Sequence, residues 1–152
     1  MDNLAAFLSM LAACEGTGDH YDALFGFTPS NNRVFANDYA THPNVKMQFT
    51  QTDGTTGYST AAGRYQILFP TFKWLATKLG TTDFSPATQD AMASELIAED
   101  NAMSDVKNGN LQSAIDKCSR TWASLPSSTY PQPMRSMTFA VAAYQTAGGQ
   151  LA

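Results

Sequence analysis

Charge is scarce in this 152-residue chain, and the charges present are not arranged to bind a polyanion. Charged residues make up 14% of the sequence, against roughly 25% in typical soluble domains, and the formal net charge is −4. The nine lysines and arginines are scattered and form no basic run. Nucleic acid therefore has little electrostatic support as a partner, and so does stable association with an anionic membrane. No stretch reaches the roughly 18 apolar residues that a membrane-spanning helix needs.

Cysteine and histidine are also rare, with two of each. Cys14 and Cys118 lie far apart in apolar, helical-looking surroundings, which favours two buried thiols over a disulfide. The four side chains have no ligand-like spacing, so the sequence predicts neither a metal nor another cofactor. His20 and His42 stand in loop-rich sequence and are interpreted as turn or surface residues rather than as catalytic bases. Nucleophile-elbow and phosphate-binding motifs are absent.

What the chain does have is enough apolar sequence for one core: 43% of its residues are hydrophobic and 11% are aromatic. From about residue 20 to residue 58, aromatic and β-branched residues alternate with turn formers, which predicts short strands in one or two hairpins. Helical spacing and helix start and stop residues dominate elsewhere. The predicted helices span about 2–15, a segment opened by Pro70 and stopped by Gly80, 86–108 with Ser85 as N-cap, 111–122 and 134–147. The fold class predicted is α+β.

Residues 11–16, L-A-A-C-E-G, allow two interpretations. The first four letters match a lipoprotein processing site, in which Cys14 would be lipidated. However, the preceding residues carry no Lys or Arg, as a signal peptide requires. Leu4, Leu8 and Leu11 instead recur at helical spacing. The segment is therefore predicted to be an amphipathic first helix that stays in the protein.

Glu15, one of only three glutamates, continues that apolar face into the last turn of the predicted helix. Partial burial and the negative end of the helix dipole both raise a carboxyl pKa, and a protonated carboxyl is what a general acid needs. A frayed, exposed terminal glutamate is the alternative, and position alone does not decide between them. Glu95 and Glu99, four residues apart on one helix, are interpreted as a solvated pair.

Two further stretches combine polar and aromatic side chains in a way that suits glycans or amides. The first, 59–66, offers small residues for close backbone approach and hydrogen-bonding side chains at Ser59, Arg64, Tyr65 and Gln66. A helix start packed on its neighbour is the alternative there. In the second, 121–133, Trp122 and Tyr130 flank a proline-rich loop. Trp122 also suits a core position, whereas Tyr130 is the better cleft candidate.

Four segments resemble the phage lambda endolysin family of lysozyme-like enzymes, and they keep its order and approximate spacing. They are L-x-M-L-A-x-x-E-G-T at 8–17, A-G-R-Y-Q at 62–66, D-F-S-P-x-x-Q-D-A at 83–91 and A-I-D-x-C-S-x-x-W-A-S-L-P at 114–126. The resemblance implies a lysozyme-like fold with a mainly helical lobe, a small β-hairpin lobe and a glycan groove. It also implies one catalytic domain over 1–152, with the β-rich lobe at about 20–58.

The activity implied by the resemblance is lytic transglycosylation of the bond from N-acetylmuramic acid to N-acetylglucosamine, with Glu15 as the catalytic residue. The implied groove-lining residues are Ser59, Arg64, Tyr65, Gln66, Trp122, Ser124, Leu125, Pro126 and Tyr130. Peptidoglycan glycan strands are the expected partner of a monomeric enzyme. Without a signal peptide, we expect the enzyme to stay in the host cytoplasm until a holin opens the route to the periplasm and cell wall.

The number of carboxylates separates the possible mechanisms. Hydrolytic glycosidases generally use two carboxyl groups, roughly 5 to 9.5 Å apart. A transglycosylase needs one, because the C6 hydroxyl of the muramic acid attacks C1 in place of water. Asp19, Asp22, Asp38 and Asp53 could each supply a second carboxylate. A hydrolytic muramidase of the same fold and a non-catalytic glycan-binding module therefore remain as alternatives.

Overall fold

A computed structural model describes residues 2–129 and 134–152, and in these ranges the chain is mainly helical with a small antiparallel hairpin. The elements in chain order are α1 (Asn3–Glu15), β1 (Met47–Thr50), β2 (Thr56–Ser59), α2 (Phe69–Leu79), α3 (Pro86–Glu99), α4 (Met103–Asn108), α5 (Leu111–Cys118) and α6 (Met137–Thr146). In the hairpin, Met47 pairs with Ser59 and Thr50 pairs with Thr56. The α+β prediction is confirmed. In the described ranges, no helix is both long and apolar enough to cross a membrane.

The chain divides into two compact units. The first, here called the β unit, is Glu15–Ala93 and contains the hairpin and α2. The second, here called the helical unit, comprises the described residues of Met1–Cys14 and Ser94–Ala152. The predicted β-rich segment, 20–58, falls inside the β unit, and the hairpin ends one residue beyond it. That the whole chain acts as one catalytic domain remains a prediction.

Helix α1 starts where the sequence predicts but is buried on more sides than expected. Asp2 caps it, since its Oδ1 accepts a hydrogen bond from the Leu4 backbone N–H at 2.9 Å. The predicted single apolar face is wrong, because small residues let the other faces pack as well. The buried residues are Ala6, Phe7, Leu8, Met10, Leu11, Ala12 and Cys14.

Start and stop residues set both ends of α2 and the beginning of α3 as predicted. Pro70 stands in the first turn of α2, and Gly80 ends that helix with a left-handed φ of 68°. Ser85 precedes α3, and its Oγ accepts a hydrogen bond from the Thr88 backbone N–H at 3.2 Å. These helices confirm that local capping chemistry is readable from the sequence.

The predicted helix over 86–108 is wrong, because it consists of two helices separated by a turn. Asn101 adopts a left-handed φ of 57° between α3 and α4. The turn places Asp100 in the interior, where it is 6% exposed. There its carboxylate accepts hydrogen bonds from Arg120 Nε at 2.6 Å and from the Thr121 hydroxyl. A buried carboxylate and its partners thus interrupt a pattern whose apolar spacing continues across the break.

Two other helix predictions need correction at their ends. The helix predicted to reach Trp122 ends at Cys118, and a turn over 119–121 separates it from Trp122. The last helix begins at Met137 rather than Met134, because Ser136 caps it by accepting a hydrogen bond from the Phe139 backbone N–H. Turn and cap geometry, which apolar spacing does not report, sets both ends.

The structure also shows how the two thiols and the two histidines are buried and bonded. Cys14 and Cys118 are buried thiols that do not form a disulfide, as predicted, and burial raises the pKa of Cys118. His20 is half exposed, which confirms a surface position. The surface prediction is wrong for His42, which is 2% exposed because both ring nitrogens find backbone partners. Nε2 lies 2.7 Å from the Ile67 carbonyl, and Nδ1 accepts from the Asn44 N–H at 3.0 Å.

Candidate active site

Glu15 is the last residue of α1, and its side chain is partly exposed. The next residue, Gly16, has a φ of 80°, a left-handed conformation that suits glycine and turns the chain out of the helix. Glu15 thus lies at the negative end of the α1 dipole, where a neutral carboxyl is favoured over a charged one. The raised pKa expected from the sequence remains a prediction.

The residues after Glu15 are held by the A-G-R-Y-Q segment that the sequence singles out. Thr17 is 2% exposed, and its hydroxyl donates to the Arg64 carbonyl. The Arg64 Nε donates to the Gly18 carbonyl at 2.9 Å. Both contacts lie within the β unit and within three residues of Glu15. The structure therefore brings two of the four resembling segments together next to the predicted catalytic residue.

The Arg64 side chain is held by three neighbouring side chains. Its Nη1 donates to Tyr65 Oη at 2.9 Å and approaches Tyr21 Oη at 3.4 Å, while Nη2 lies 3.4 Å from an Asp19 carboxylate oxygen. The guanidinium carbon lies 5.3 Å from the Tyr21 ring centroid and 5.5 Å from that of Tyr65. With 12% of its side chain exposed, Arg64 has little surface left for a ligand.

Tyr65 does not fit the role of a groove-lining residue. It is 1% exposed, and its hydroxyl donates to an Asp90 carboxylate oxygen at 2.6 Å. Burial is the main cause that raises its pKa above the ordinary tyrosine value. A side chain so deeply enclosed has no surface to offer a substrate, and the structure gives it a supporting position.

Ser59 and Gln66 are better placed, because both side chains are partly exposed. The Ser59 Oγ accepts a hydrogen bond from the Ala61 N–H at 3.1 Å. Gln66 has a left-handed φ of 53°, and its Nε2 donates to the Gly63 carbonyl at 2.9 Å. Each side chain is thus hydrogen-bonded to nearby backbone.

Three of the four described residues that were implied to line the groove from the loop after α5 are buried. Trp122 is 3% exposed, Leu125 is fully buried and Pro126 is also buried. This confirms the alternative interpretation of Trp122 as a core residue. Ser124 is partly exposed, and its carbonyl accepts from the Arg135 N–H at 2.7 Å. Tyr130, the stronger cleft candidate in the sequence, lies outside the described residues.

Arg135 is a residue that the sequence does not single out. Its Nε donates to the Cys14 carbonyl at 3.2 Å, the carbonyl of the peptide bond that leads into Glu15. A cation at the end of a helix satisfies a terminal carbonyl and offsets the negative end of the dipole. A lone arginine in the first turn of a predicted helix gives no sequence signal for such a contact.

The candidates for a second carboxylate differ in how they are held. Asp53 accepts from the backbone N–H and the hydroxyl of Thr55 within the hairpin turn, which lowers its pKa. The Asp19 side chain is 99% exposed. Within the described ranges, no cluster of His, Cys, Asp and Glu could hold a metal ion.

The fold is that of the phage lysozymes. A structure of bacteriophage lambda lysozyme complexed with a chitohexasaccharide matches with a TM-score of 0.86 and 35% identity, and covers 100% of this chain and 98% of its own. A second lambda lysozyme structure matches with a TM-score of 0.77 and 33% identity over the same shares of the two chains.

The sequence comparisons place the chain in one family. The profile of the Endolysin family matches residues 5–151. The endolysin of Escherichia phage P2 is 37% identical over 97% of this chain and 93% of its own length, and that of Escherichia phage lambda is 36% identical over 95% and 90%. The chain belongs to the Endolysin family, the peptidoglycan-degrading enzymes that act on the host cell wall in phage lysis. The resemblance seen in the sequence is confirmed.

Proposed function

We propose that this endolysin cleaves the bond from N-acetylmuramic acid to N-acetylglucosamine by lytic transglycosylation, with Glu15 as the single acid and base. The observation that carries the proposal is the placement of Glu15 at the end of α1, directly before a segment anchored by Thr17 and Gly18. A partly exposed carboxyl there can reach a substrate while its backbone is held in place.

The proposed reaction needs only groups of Glu15 and of the substrate. The Glu15 carboxyl gives its proton to the glycosidic oxygen as the bond from C1 to that oxygen breaks. The C6 hydroxyl oxygen of the same muramic acid forms the new bond to C1. Its proton passes to the Glu15 carboxylate, which restores the acid and leaves a 1,6-anhydro end. Neither water nor a second carboxylate takes part.

Two of the four aspartates named as candidates for a second carboxylate, Asp53 and Asp19, support this assignment over hydrolysis. A hydrolytic partner acts as a base or nucleophile beside the sugar ring. Asp53 is tied to Thr55 in its own turn, and Asp19 faces solvent near Arg64. Neither carboxylate is buried in a way that would mark it as a second catalytic group.

For the groove we propose Ser59, Gln66 and Ser124, the candidates whose side chains the structure leaves partly exposed, together with Tyr130. Hydroxyl and amide groups of this kind bind sugar hydroxyls and N-acetyl groups. The solved lambda lysozyme was complexed with a chitohexasaccharide, a chain of sugars, which supports a glycan ligand here. We further propose that the enzyme works as a monomer and reaches the cell wall from the cytoplasm through a holin-made opening.

Mass spectrometry of digested peptidoglycan tests the reaction type. We expect muramic acid ends that are lighter by one water molecule than reducing ends, and no label from heavy-oxygen water. Reducing, labelled ends without anhydro product would instead identify a muramidase. Binding to sacculi without release of fragments would identify a glycan-binding module.

A further inference from the structure

We propose that Asp90, acting with Tyr21 and Tyr65, is a positioning residue that holds the chain after the catalytic glutamate in its working geometry. The proposal rests on the function proposed for Glu15. Asp90 belongs to the 83–91 segment, which the sequence singles out but to which the proposed reaction gives no part. It stands in the second turn of α3, inside the β unit.

Asp90 is the acceptor at which two tyrosines converge. Its Oδ1 accepts from the Tyr65 hydroxyl at 2.6 Å and from the Tyr21 hydroxyl at 2.9 Å. Hydrogen bonds from a hydroxyl to a carboxylate at such distances are charge-assisted and stronger than neutral ones. The two rings meet edge to face, with centroids 6.3 Å apart. The carboxylate therefore fixes both side chains at once.

Tyr65, held in this way, in turn orients the side chain of Arg64. Tyr65 donates to Asp90 and, through the same oxygen, accepts from Arg64 Nη1 at 2.9 Å. An anion, a hydroxyl and a cation thus follow one another, an order in which each hydrogen bond strengthens the next. The oriented guanidinium then donates through Nε to the Gly18 carbonyl. The charge of Asp90 reaches, in three hydrogen bonds, a residue three positions beyond Glu15.

The neighbouring Gln89 holds the backbones of the same segments independently. This fully buried amide donates to the carbonyls of Tyr21 at 3.0 Å and Phe84 at 2.8 Å, and accepts from the Arg64 N–H at 2.9 Å. Gln89 therefore fixes main chain, while Asp90 fixes side chains. Because the two tasks are separate, Asp90 can be varied while Gln89 continues to hold the fold.

The segment needs such support because its own backbone is permissive. Gly16 and Gly18 both have positive φ, and glycine has more conformational freedom than any other residue. A displacement of about 1 Å at a catalytic group can cost on the order of 10²-fold in rate. Weakening the hydrogen bonds of Asp90 should therefore lower kcat more than it weakens glycan binding.

The test compares kcat, KM and thermal stability of Asp90→Asn, Tyr65→Phe, Tyr21→Phe and the wild type on a soluble peptidoglycan fragment. We expect Asp90→Asn and Tyr65→Phe to lower kcat about 10- to 100-fold with little change in KM. The double variant Asp90→Asn/Tyr65→Phe should lose little more kcat than either single variant, because the two residues act in the same series of hydrogen bonds. The partly exposed Tyr21→Phe is the milder variant and should lose less. Asp116→Asn, an exposed acid-to-amide change on α5, is the matched control and should match wild type.

Unchanged kcat in folded Asp90→Asn and Tyr65→Phe would overturn the proposal and leave Glu15 untouched. Equal losses explained by the unfolded fraction alone would also overturn it, since the network would then be merely structural. Full activity in Glu15→Gln would show a different failure, that of the proposed function, and would remove the positioning proposal with it.

Discussion

The two compact units hold their shapes by partly different means. Both units have a buried apolar core, which includes Ile67, Phe72, Leu75 and Phe84 in the β unit and Phe7, Met10, Leu11, Ile97, Ile115 and Leu125 in the helical unit. The β unit adds several residues in left-handed conformations, which include Asn32, Asp38, Tyr39, Asn44 and Gln66, and the hydrogen-bond network around Asp90. Specific hydrogen bonds thus act in addition to apolar packing in the β unit.

We expect this difference to matter for catalysis. In the network around Asp90 in the β unit, removing one hydrogen bond changes the direction of side chains that hold the chain next to Glu15. In the helical unit, removing a methyl group lowers the free energy of unfolding but leaves the catalytic segment in place. Asp100 in the helical unit is buried and accepts hydrogen bonds from the exposed residues Arg120 and Thr121, and we expect these bonds to fix side-chain directions in the same way.

The largest stability effect is expected at Gly63, where the β unit has no room for a side chain. Gly63 has a φ of 83°, and a Cβ there would clash with the Oε1 of Gln89. Backbone strain and the clash together should cost Gly63→Ala about 2–5 kcal/mol of unfolding free energy, measured in urea. Gly54→Ala is the control, since its φ is 87° but nothing lies within 4 Å. Equal costs for the two variants would show that the contact with Gln89 is unimportant.

An intermediate, pH-dependent effect is expected at His42. Burial lowers its pKa in the folded protein, so the native state favours the neutral ring, and the stability this brings is present above about pH 6.5 and lost as the pH falls below it. At pH 8, His42→Gln should cost about 1–3 kcal/mol, because buried backbone partners lose their hydrogen bonds. In denaturant titrations the difference from wild type should narrow toward pH 5. The exposed His20→Gln serves as control; a constant difference across pH would contradict the assignment.

The smallest effect is expected in the core of the helical unit. Ile115→Val removes one methylene group and should cost about 0.5–1.5 kcal/mol of unfolding free energy. The kcat of the folded protein should stay at the wild-type value, in contrast with the network variants of the β unit. Gln112→Ala, an exposed change on the same helix, should alter neither quantity. A clear loss of kcat in Ile115→Val would break the proposed separation of the two units.

The helices were predictable because their signals are local. Capping at Asp2 and Ser85 and the stop at Gly80 involve groups within a few residues of one another. The break at Asn101 carries a local signal that apolar spacing overlooked, because asparagine can end a helix in a left-handed conformation. The contact of Asp100 with Arg120, a residue twenty positions away, was not predictable. Apolar spacing reports which residues are buried and does not report where a buried polar group interrupts a helix.

The sequence predicted which segments form the site, but it predicted the roles of individual residues in those segments less well. Local pattern placed Glu15 at a helix end, and the structure agrees. Tyr65 and Trp122 were assigned to the groove, yet both are buried. The prediction was wrong because an aromatic residue near a turn has the same sequence pattern whether it lies in a core or lines a cleft. Asp90 gave no functional signal, since its partners Tyr21 and Tyr65 lie 69 and 25 residues away.

The most direct test of the central claim compares two glutamates that each end a helix. Glu15 is the last residue of α1, and Glu99, which is exposed, is the last residue of α3. If Glu15 is the acid, Glu15→Gln should lower peptidoglycan cleavage by about 10²- to 10⁴-fold while remaining folded, and Glu99→Gln should cleave at the wild-type rate. Wild-type cleavage by Glu15→Gln would contradict the assignment.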